Sequence, residues 1–184
     1  MKYNTLYPII LNNNKNKTFV ETGFWQGHGV QVALDCGFER VYSCDIDAKS
    51  IQLARSIYGN DMPNVHVFQN DSVQYLEFFF RHYEITDGIT FWLDAHPGVV
   101  GYSPVIDELN VIDKYCKNKN NIIMIDDYHL LDKKWGVDLQ NLNDTIYNIN
   151  SEFKITISPR IYSEEGDVAD PNLPRKGEVL IAKL

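Results

Sequence analysis

The sequence lacks the features that define disulfide-bonded and membrane-spanning proteins. Only three of its 184 residues are cysteine, and none of them has the Cys-x-x-Cys spacing of zinc or redox sites, so we expect small core residues in a reducing compartment. No stretch approaches the ~20 consecutive apolar residues that a membrane span needs, and no basic segment followed by an apolar run opens the chain. We therefore expect a soluble, cytoplasmic protein.

Basic side chains are also scarce. The chain has 17 Lys and Arg against 25 Asp and Glu, for a formal net charge of −8. A protein that tracks a nucleic-acid backbone needs clustered cations to displace counterions, so this balance argues against a nucleic-acid partner and favours a small-molecule substrate. At 184 residues and 44% hydrophobic composition, the chain suits one domain with a single core.

The order of apolar patterns predicts an α/β protein. We interpret residues 1–17 as an N-terminal arm or partial lid that ends in a solvated polar tract, and residues 18–184 as the ligand-binding domain. Within that domain five strand patterns alternate with helix patterns, which requires a parallel sheet wound by right-handed crossovers. The last two strands, 153–162 and 178–184, have no helix pattern between them, so they require a hairpin and one antiparallel strand.

A glycine-rich turn follows the first strand pattern. Glu21 ends the apolar run, and Gly23, Gly27 and Gly29 follow with the spacing Gly-x-x-x-Gly-x-Gly. Glycine allows positive φ and lets a ligand lie against bare backbone, so we expect a ligand there. The spacing differs from the Gly-x-Gly-x-x-Gly of dinucleotide-binding domains. It is similar to the first motif of class I S-adenosylmethionine (SAM)-dependent methyltransferases. The resemblance implies that this loop holds the methionine end of SAM and that Glu21 orients its amino group.

Further acids end the second and third strands, at the sheet edge where open parallel sheets bind ligands. Asp45 matches the ribose-binding acid of the methyltransferase family, because a carboxylate can accept hydrogen bonds from both hydroxyls. Asp71, with Ser72 beside it, matches the adenine-contacting acid. Two alternatives remain open: Asp71 is equally suited to cap the helix that follows it, and Asp47 suits the cap of the helix after the second strand.

A second group of acids follows the fourth and fifth strands. Asp94 ends one strand, and Asp126 and Asp127 end the other, so adjacent strands would bring three carboxylates together. Clustered carboxylates suit a hard cation such as Mg²⁺. The arrangement resembles that of metal-dependent O-methyltransferases of the macrocin and catechol types, in which the metal holds two substrate oxygens and lowers the pKa of the acceptor. The alternative is that one acid caps a helix and another faces solvent.

The reaction that the resemblance implies also needs a base near the acceptor. His96 lies two residues after Asp94, and imidazole can take a proton near neutral pH, so His96 is our candidate base, with Asp94 beside it in the catalytic group. The related families place Lys or His three residues after the first metal acid, whereas this sequence has Pro97 there. A hydrogen-bonding loop histidine is the alternative interpretation.

The resemblance as a whole implies the Rossmann-like class I methyltransferase fold, a seven-stranded and mostly parallel sheet with an antiparallel last strand and helices on both faces. The predicted function is SAM-dependent methyl transfer to an oxygen of a small molecule or sugar, with Mg²⁺ as a candidate second cofactor. A SAM-binding regulatory module or a SAM-degrading enzyme of the same fold is the main alternative. An NAD-dependent oxidoreductase fits the glycine spacing less well. Exposed edge strands make a homodimer a further expectation.

Overall fold

Strands and helices alternate along the chain as the apolar patterns predict. The computed structural model describes residues 6–59, 62–96, 100–161 and 176–184. The strands are β1 (Thr18–Thr22), β2 (Arg40–Asp45), β3 (Val65–Gln69), β4 (Ile89–Leu93), β5 (Ile122–Ile125), β6 (Lys154–Ile161) and β7 (Lys176–Lys183). The helices are α1 (Leu6–Asn13), α2 (His28–Asp35), α3 (Ala48–Tyr58), α4 (Ser72–Tyr83), α5 (Val105–Cys116), α6 (Leu131–Trp135) and α7 (Leu139–Ile149), with a 3₁₀ turn at Tyr128–Leu130 before α6.

The seven strands form one sheet in the order β3-β2-β1-β4-β5-β7-β6. The first five strands are mutually parallel, and β7 pairs antiparallel with both β5 and β6. This order confirms the predicted seven-stranded sheet with an antiparallel last strand. Part of the predicted polar loop before β7, residues 162–175, lies outside the described residues.

Helices cover both faces of the sheet, as expected for strands that read as continuous apolar runs. One apolar cluster joins the sheet to α4, α5, α6 and α7, and the other joins it to α1, α2 and α3. All residues of β1, β4 and β5 are buried. Among the helices in the described ranges, none has the combination of length and apolar character that crossing a membrane requires.

The described part of the N-terminal segment packs beside the sheet. Residues 6–13 form α1, which packs against α2, and in the polar tract after it Asn14 is buried and Asn16 is half-buried, while Lys15 and Lys17 are exposed. Asn14 accepts a hydrogen bond from Lys183 Nζ at 2.6 Å, and Asn16 N donates to Thr90 Oγ1 at 3.0 Å. Thr90 is near the start of β4 and Lys183 ends the antiparallel β7, so both contacts lie at the amino edge of the parallel strands. None of these contacts lies at the ligand-binding edge, so the N-terminal arm or partial lid remains a prediction, and residues 1–5 lie outside the described residues.

The opposite, carboxyl edge gathers the loops that follow β1 to β5. The chain runs from β1 through β2 to β3 on one side of the sheet, then continues with β4 and β5 on the other. The connections after β1 and β4 therefore leave the sheet in opposite directions. The crevice that this reversal creates is where open α/β sheets bind their ligands.

Candidate functional site

The loop after β1 closely approaches the end of β4 at this crevice. Gly23 has φ +91°, and a Cβ atom built on it would lie 2.5 Å from the backbone oxygen of Asp94. The amides of Gly23 and Phe24 both donate to the carbonyl of Cys44, at 3.0 and 2.8 Å. Both the backbone conformation and the space therefore require glycine at position 23. The predicted ligand loop begins where the sheet reverses its winding.

Gly29 lies in the first turn of α2, directly over the buried side chain of Glu21. A Cβ atom at position 29 would lie 1.8 Å from Glu21 Oε1. The other carboxyl oxygen of Glu21 accepts a hydrogen bond from Ser43 Oγ at 2.5 Å. Burial raises the pKa of Glu21 to about 8, with a further rise from the negative charge of Asp45 and opposition from the Ser43 bond. A cationic group bound above α2 would favour the ionised form.

The middle glycine of the loop is needed for packing. Gly27 N donates to the carbonyl of Phe24 at 2.7 Å, and a Cβ atom at position 27 would lie 2.7 Å from the buried ring of Phe24. Trp25, in the same turn, is 63% exposed. The loop thus folds over one aromatic ring and leaves another at the surface.

Asp45 joins the loop after β1 to the loop after β2. Its Oδ2 atom accepts from Trp25 N at 2.7 Å, and its Oδ1 atom accepts from Asp47 N at 2.8 Å. Each carboxylate oxygen has a second lone pair, so Asp45 retains capacity for ligand hydroxyls. Asp47 accepts from Lys49 N and caps α3, which confirms the alternative that the sequence left open for it. Ile46, between the two acids, is 74% exposed and was not singled out from the sequence.

Asp71 is the N-cap of α4. Its Oδ1 atom accepts from the amides of Val73 and Gln74, at 3.0 and 3.2 Å. The capping alternative is therefore confirmed, and the adenine contact remains a prediction. Ser72 is buried, and its hydroxyl bonds to Glu108.

Glu108 is a buried carboxyl that the sequence reasoning missed. It lies in the first turn of α5, is 1% exposed, and accepts hydrogen bonds from the side chains of Ser72 and Thr22. Burial raises its pKa to about 7, although both hydroxyl bonds oppose the rise. A signal was present, because Glu108 falls three residues after Val105 and four before Ile112 in the apolar stripe of the predicted helix.

His96 is held by three contacts. Its Nε2 atom is 3.0 Å from the carbonyl oxygen of Asp126, its Nδ1 atom is 3.3 Å from Ser103 Oγ, and its ring stacks on Trp135 at 4.4 Å. A carbonyl can only accept, so Nε2 carries the proton and Nδ1 accepts from the Ser103 hydroxyl. Burial lowers the pKa of His96, and the Asp126 carbonyl bond and nearby carboxylates oppose this only in part. The ring is therefore neutral near pH 7. Pro97 lies outside the described residues.

The predicted metal triad does not form. The side chain of Asp126 is fully buried, and its Oδ1 atom accepts from the amide of Asp127 at 2.8 Å. Asp127 has φ +49° at the start of the 3₁₀ turn, and Asp94 is half-buried at the end of β4. Throughout the described ranges, no group of three or more His, Cys, Asp or Glu side chains has the arrangement of a metal site. The donor set therefore does not fit Mg²⁺, because one of its three members stabilises its own turn.

Exposed apolar side chains surround the crevice. Tyr102 is 53% exposed in the loop before α5, and Trp25 lies edge-on to the ring of His28, with centroids 5.6 Å apart. Of the other aromatic residues near this edge, Trp92 is in the core and Trp135 is buried behind His96.

Solved methyltransferase structures resemble this chain over almost its whole length. The Bacillus cereus O-methyltransferase, solved with SAH (S-adenosylhomocysteine), matches with a TM-score of 0.67 at 14% identity, over 98% of this chain and 80% of that one. TomG of Streptomyces achromogenes, an O-methyltransferase of tomaymycin synthesis solved with SAM, matches with a TM-score of 0.68 at 11% identity, over 98% and 78%. Spermidine synthase of Thermotoga maritima matches with a TM-score of 0.59 at 14% identity, over 96% and 55%.

No protein-family model matches the sequence, and a search of curated proteins finds no match. At identities of 11–14% a structural likeness establishes the fold. The chain therefore has the Rossmann-like class I methyltransferase fold, as its strand order and glycine loop predict.

Proposed function

We propose that the protein is a SAM-dependent methyltransferase that transfers a methyl group to an oxygen of a small molecule or sugar. The observation that carries the proposal is the Glu21 carboxyl buried under Gly29, beside the crevice between β1 and β4. The Glu21 carboxyl lies against the backbone of α2 at Gly29, and the negative charge of Asp45 further disfavours its ionisation. A ligand that carries both positive charge and hydroxyl groups would relieve that cost.

Different residues around the crevice would contact different parts of SAM. The backbone at Gly23, Gly27 and Gly29 would lie along the methionine end of SAM, with Glu21 beneath its amino group. Asp45 would accept from the ribose hydroxyls with the lone pairs that the loop amides leave available. Ile46 and the start of α4, with Asp71 and Ser72, would flank the adenine. The SAH and SAM bound to the structurally similar enzymes support this assignment.

When bound, SAM supplies the electrophilic methyl group, and the protein's task is to align and deprotonate the acceptor. His96 is our candidate base, with Asp94 at the same strand end. The neutral ring can accept a proton only at Nδ1, where Ser103 now donates. A proton from an acceptor hydroxyl would reach Nδ1 either directly, with Ser103 turned away, or through the Ser103 hydroxyl. We expect His96→Gln to lower kcat by about 100-fold or more while leaving SAH affinity unchanged.

The proposed mechanism does not include Mg²⁺. The buried Asp126 carboxylate and the lack of a three-donor group in the described residues both argue for deprotonation by a side chain instead. Activity that is the same in EDTA and in millimolar Mg²⁺ is the expected result. An EDTA-sensitive activity that Mg²⁺ restores, and that Asp126→Asn abolishes, would show that the carboxylates rearrange around a metal.

The first experiment is calorimetric titration of SAH and SAM into the protein and into two matched variants. Asp45→Asn keeps the shape of the side chain and removes its charge, so it should weaken both ligands by about tenfold or more. Asp47→Asn changes the neighbouring acid in the same way, but that acid only caps α3, so its affinities should match the wild type. If neither ligand binds the wild-type protein, the proposed function is wrong.

A SAM-binding protein without transferase activity is the second candidate. Residues 6–13 pack against α2 and β6, and Asn14 and Asn16 bond at the amino edge, so none of these contacts places the segment over the crevice, where it would exclude water from an acceptor. Incubation with SAM and a panel of phenol, diol and sugar acceptors, followed by mass spectrometry, separates the two functions. Methylated acceptor with one equivalent of SAH supports the transferase, and SAM consumed to other products without an acceptor supports a degrading enzyme.

A further inference from the structure

Glu108 connects three of the loops that form the crevice. Its carboxyl accepts hydrogen bonds from Thr22, the last residue of β1, and from Ser72, the first residue of α4. The Thr22 hydroxyl also accepts from the amide of Asp94, at 3.3 Å, where β4 ends. The buried Glu108 carboxyl is thus connected through Thr22 to the ends of β1 and β4, and through Ser72 to the start of α4. Glu108 therefore lies beneath the crevice, on the sheet face opposite to Glu21.

One oxygen of the Glu108 carboxyl lacks a hydrogen-bond partner within the described residues. This atom, Oε1, is buried, and the same is true of the hydroxyl of Tyr75 in α4, which likewise has no partner in the part of the chain that the structure describes. Asp71 and Asp107 act on Glu108 with negative charge, which disfavours its ionisation. The other titratable groups that interact with it are the thiol of Cys44 in β2 and the phenol of Tyr102. A positive charge above the crevice would stabilise the ionised carboxyl.

We propose that Glu108 is a specificity-determining residue whose negative charge makes the site prefer the cationic nucleoside SAM over the neutral product SAH. This inference rests on the proposed function. The sulfonium of SAM is the one charged group that SAH lacks, and the loop from Gly23 would hold it over the end of β1. SAM and SAH would otherwise make the same contacts with the chain. The part of the preference that depends on this charge is therefore lost when Glu108 is protonated.

Two measurable consequences follow from linkage. Burial raises the pKa of Glu108 to about 7, so a cation bound nearby would favour loss of its proton, whereas the uncharged sulfur of SAH would not. The ratio of the SAH to the SAM dissociation constant should therefore rise with pH. For a sulfonium and a carboxylate roughly 10 Å apart, with an effective dielectric constant near 20, the attraction changes the affinity for SAM on the order of tenfold. The product would also be released more readily than the substrate.

The test is titration of SAM and SAH at pH 6.0 and pH 8.5 into the wild type and two variants. Glu108→Gln keeps the carbonyl that accepts from Thr22 and Ser72, and it removes the charge. Asp113→Asn removes a charge in the last turn of the same helix, away from Glu108, and serves as the control. We expect the wild-type ratio to rise about tenfold over this range, the Asp113→Asn ratio to rise as much, and the Glu108→Gln ratio to rise clearly less. Any rise of the ratio that remains in Glu108→Gln is assigned to Glu21, whose pKa of about 8 lies in the same range.

A second measurement does not depend on the variant folding. Calorimetry at pH 7 in two buffers of different ionisation enthalpy counts the protons released on binding. The wild type should release a larger fraction of a proton with SAM than with SAH. Equal release for the two ligands, or a ratio that rises as steeply in Glu108→Gln as in the wild type, overturns the inference and leaves the proposed function intact. Failure of both ligands to bind instead overturns the proposed function, and this inference with it.

Discussion

Replacing Gly29 by alanine tests the most crowded contact of the site without reference to any ligand. Gly29 lies in the first turn of α2 and does not have positive φ, so alanine would ordinarily stabilise the helix by about 0.5–1 kcal/mol. Here the new Cβ would lie 1.8 Å from Glu21 Oε1, a distance that no pair of unbonded atoms tolerates. The carboxyl must therefore move.

The size of the effect follows from what the carboxyl loses. Overpacking costs about 1–3 kcal/mol, and a displaced buried hydrogen bond, here that of Ser43 to Glu21, costs about 1–3 kcal/mol more. Against a helix gain of at most about 1 kcal/mol, Gly29→Ala should lower the free energy of unfolding by roughly 1–5 kcal/mol. Urea unfolding followed by far-UV circular dichroism measures this change.

The same substitution in a Glu21→Ala background provides the control. Without the carboxyl, the Cβ atom at position 29 has no clash with it, so Gly29→Ala should be neutral or stabilising by up to about 1 kcal/mol. We expect the effect of Gly29→Ala to change sign between the two backgrounds. A Gly29→Ala protein as stable as the wild type, or an equal loss in both backgrounds, would refute the contact between Glu21 and Gly29.

Three further predictions concern stability. Gly23→Ala should lower the free energy of unfolding by about 1–3 kcal/mol more than Gly88→Ala does, as measured by urea unfolding. Both glycines have positive φ, but only a Cβ atom at position 23 would lie 2.5 Å from backbone. Asp71→Ala and Asp138→Ala each remove an N-cap and should each cost about 1 kcal/mol, but only Asp71→Ala should weaken SAH in calorimetry. The pKa of Glu21 rises from 4.5 to about 8 on folding, so its stabilising contribution is full below pH 4.5 and is lost as pH rises to about 8. Glu21→Gln should flatten the decline of the free energy of unfolding with pH, measured by urea unfolding across this range.

The sequence predicts the sheet well because its signals are local. Strands buried on both faces are continuous apolar runs, and the helices between them repeat every three or four residues, so element order follows directly. The lack of a helix pattern before 178–184 was enough to predict the antiparallel β7. The N-caps at Asp47 and Asp71 were likewise predictable, because capping depends on residues only two or three positions away.

The site was less predictable because it depends on where side chains point after a strand ends. Asp94 and Asp126 do lie on adjacent strands, and the amide of Asp126 bonds to the carbonyl of Leu93. The Asp126 side chain nevertheless turns inward to its own backbone, which strand order alone does not specify. Glu108 was missed for the opposite reason, because a single acid in an apolar stripe resembles a chance interruption until Thr22 and Ser72 are brought against it.

The position of β7 also has a consequence for how the chain folds. β7 follows all of its neighbours in sequence, yet it lies between β5 and β6, and β6 pairs with no strand but β7 among the described elements. Until residues 176–183 are synthesised, β5 presents an unpaired apolar edge and β6 has nothing to pair with. Unpaired edges of this kind are where incomplete chains associate with one another. Ribosome-bound chains that stop before β7 should therefore be the aggregation-prone species, and the sheet should close only when β7 inserts between its two partners.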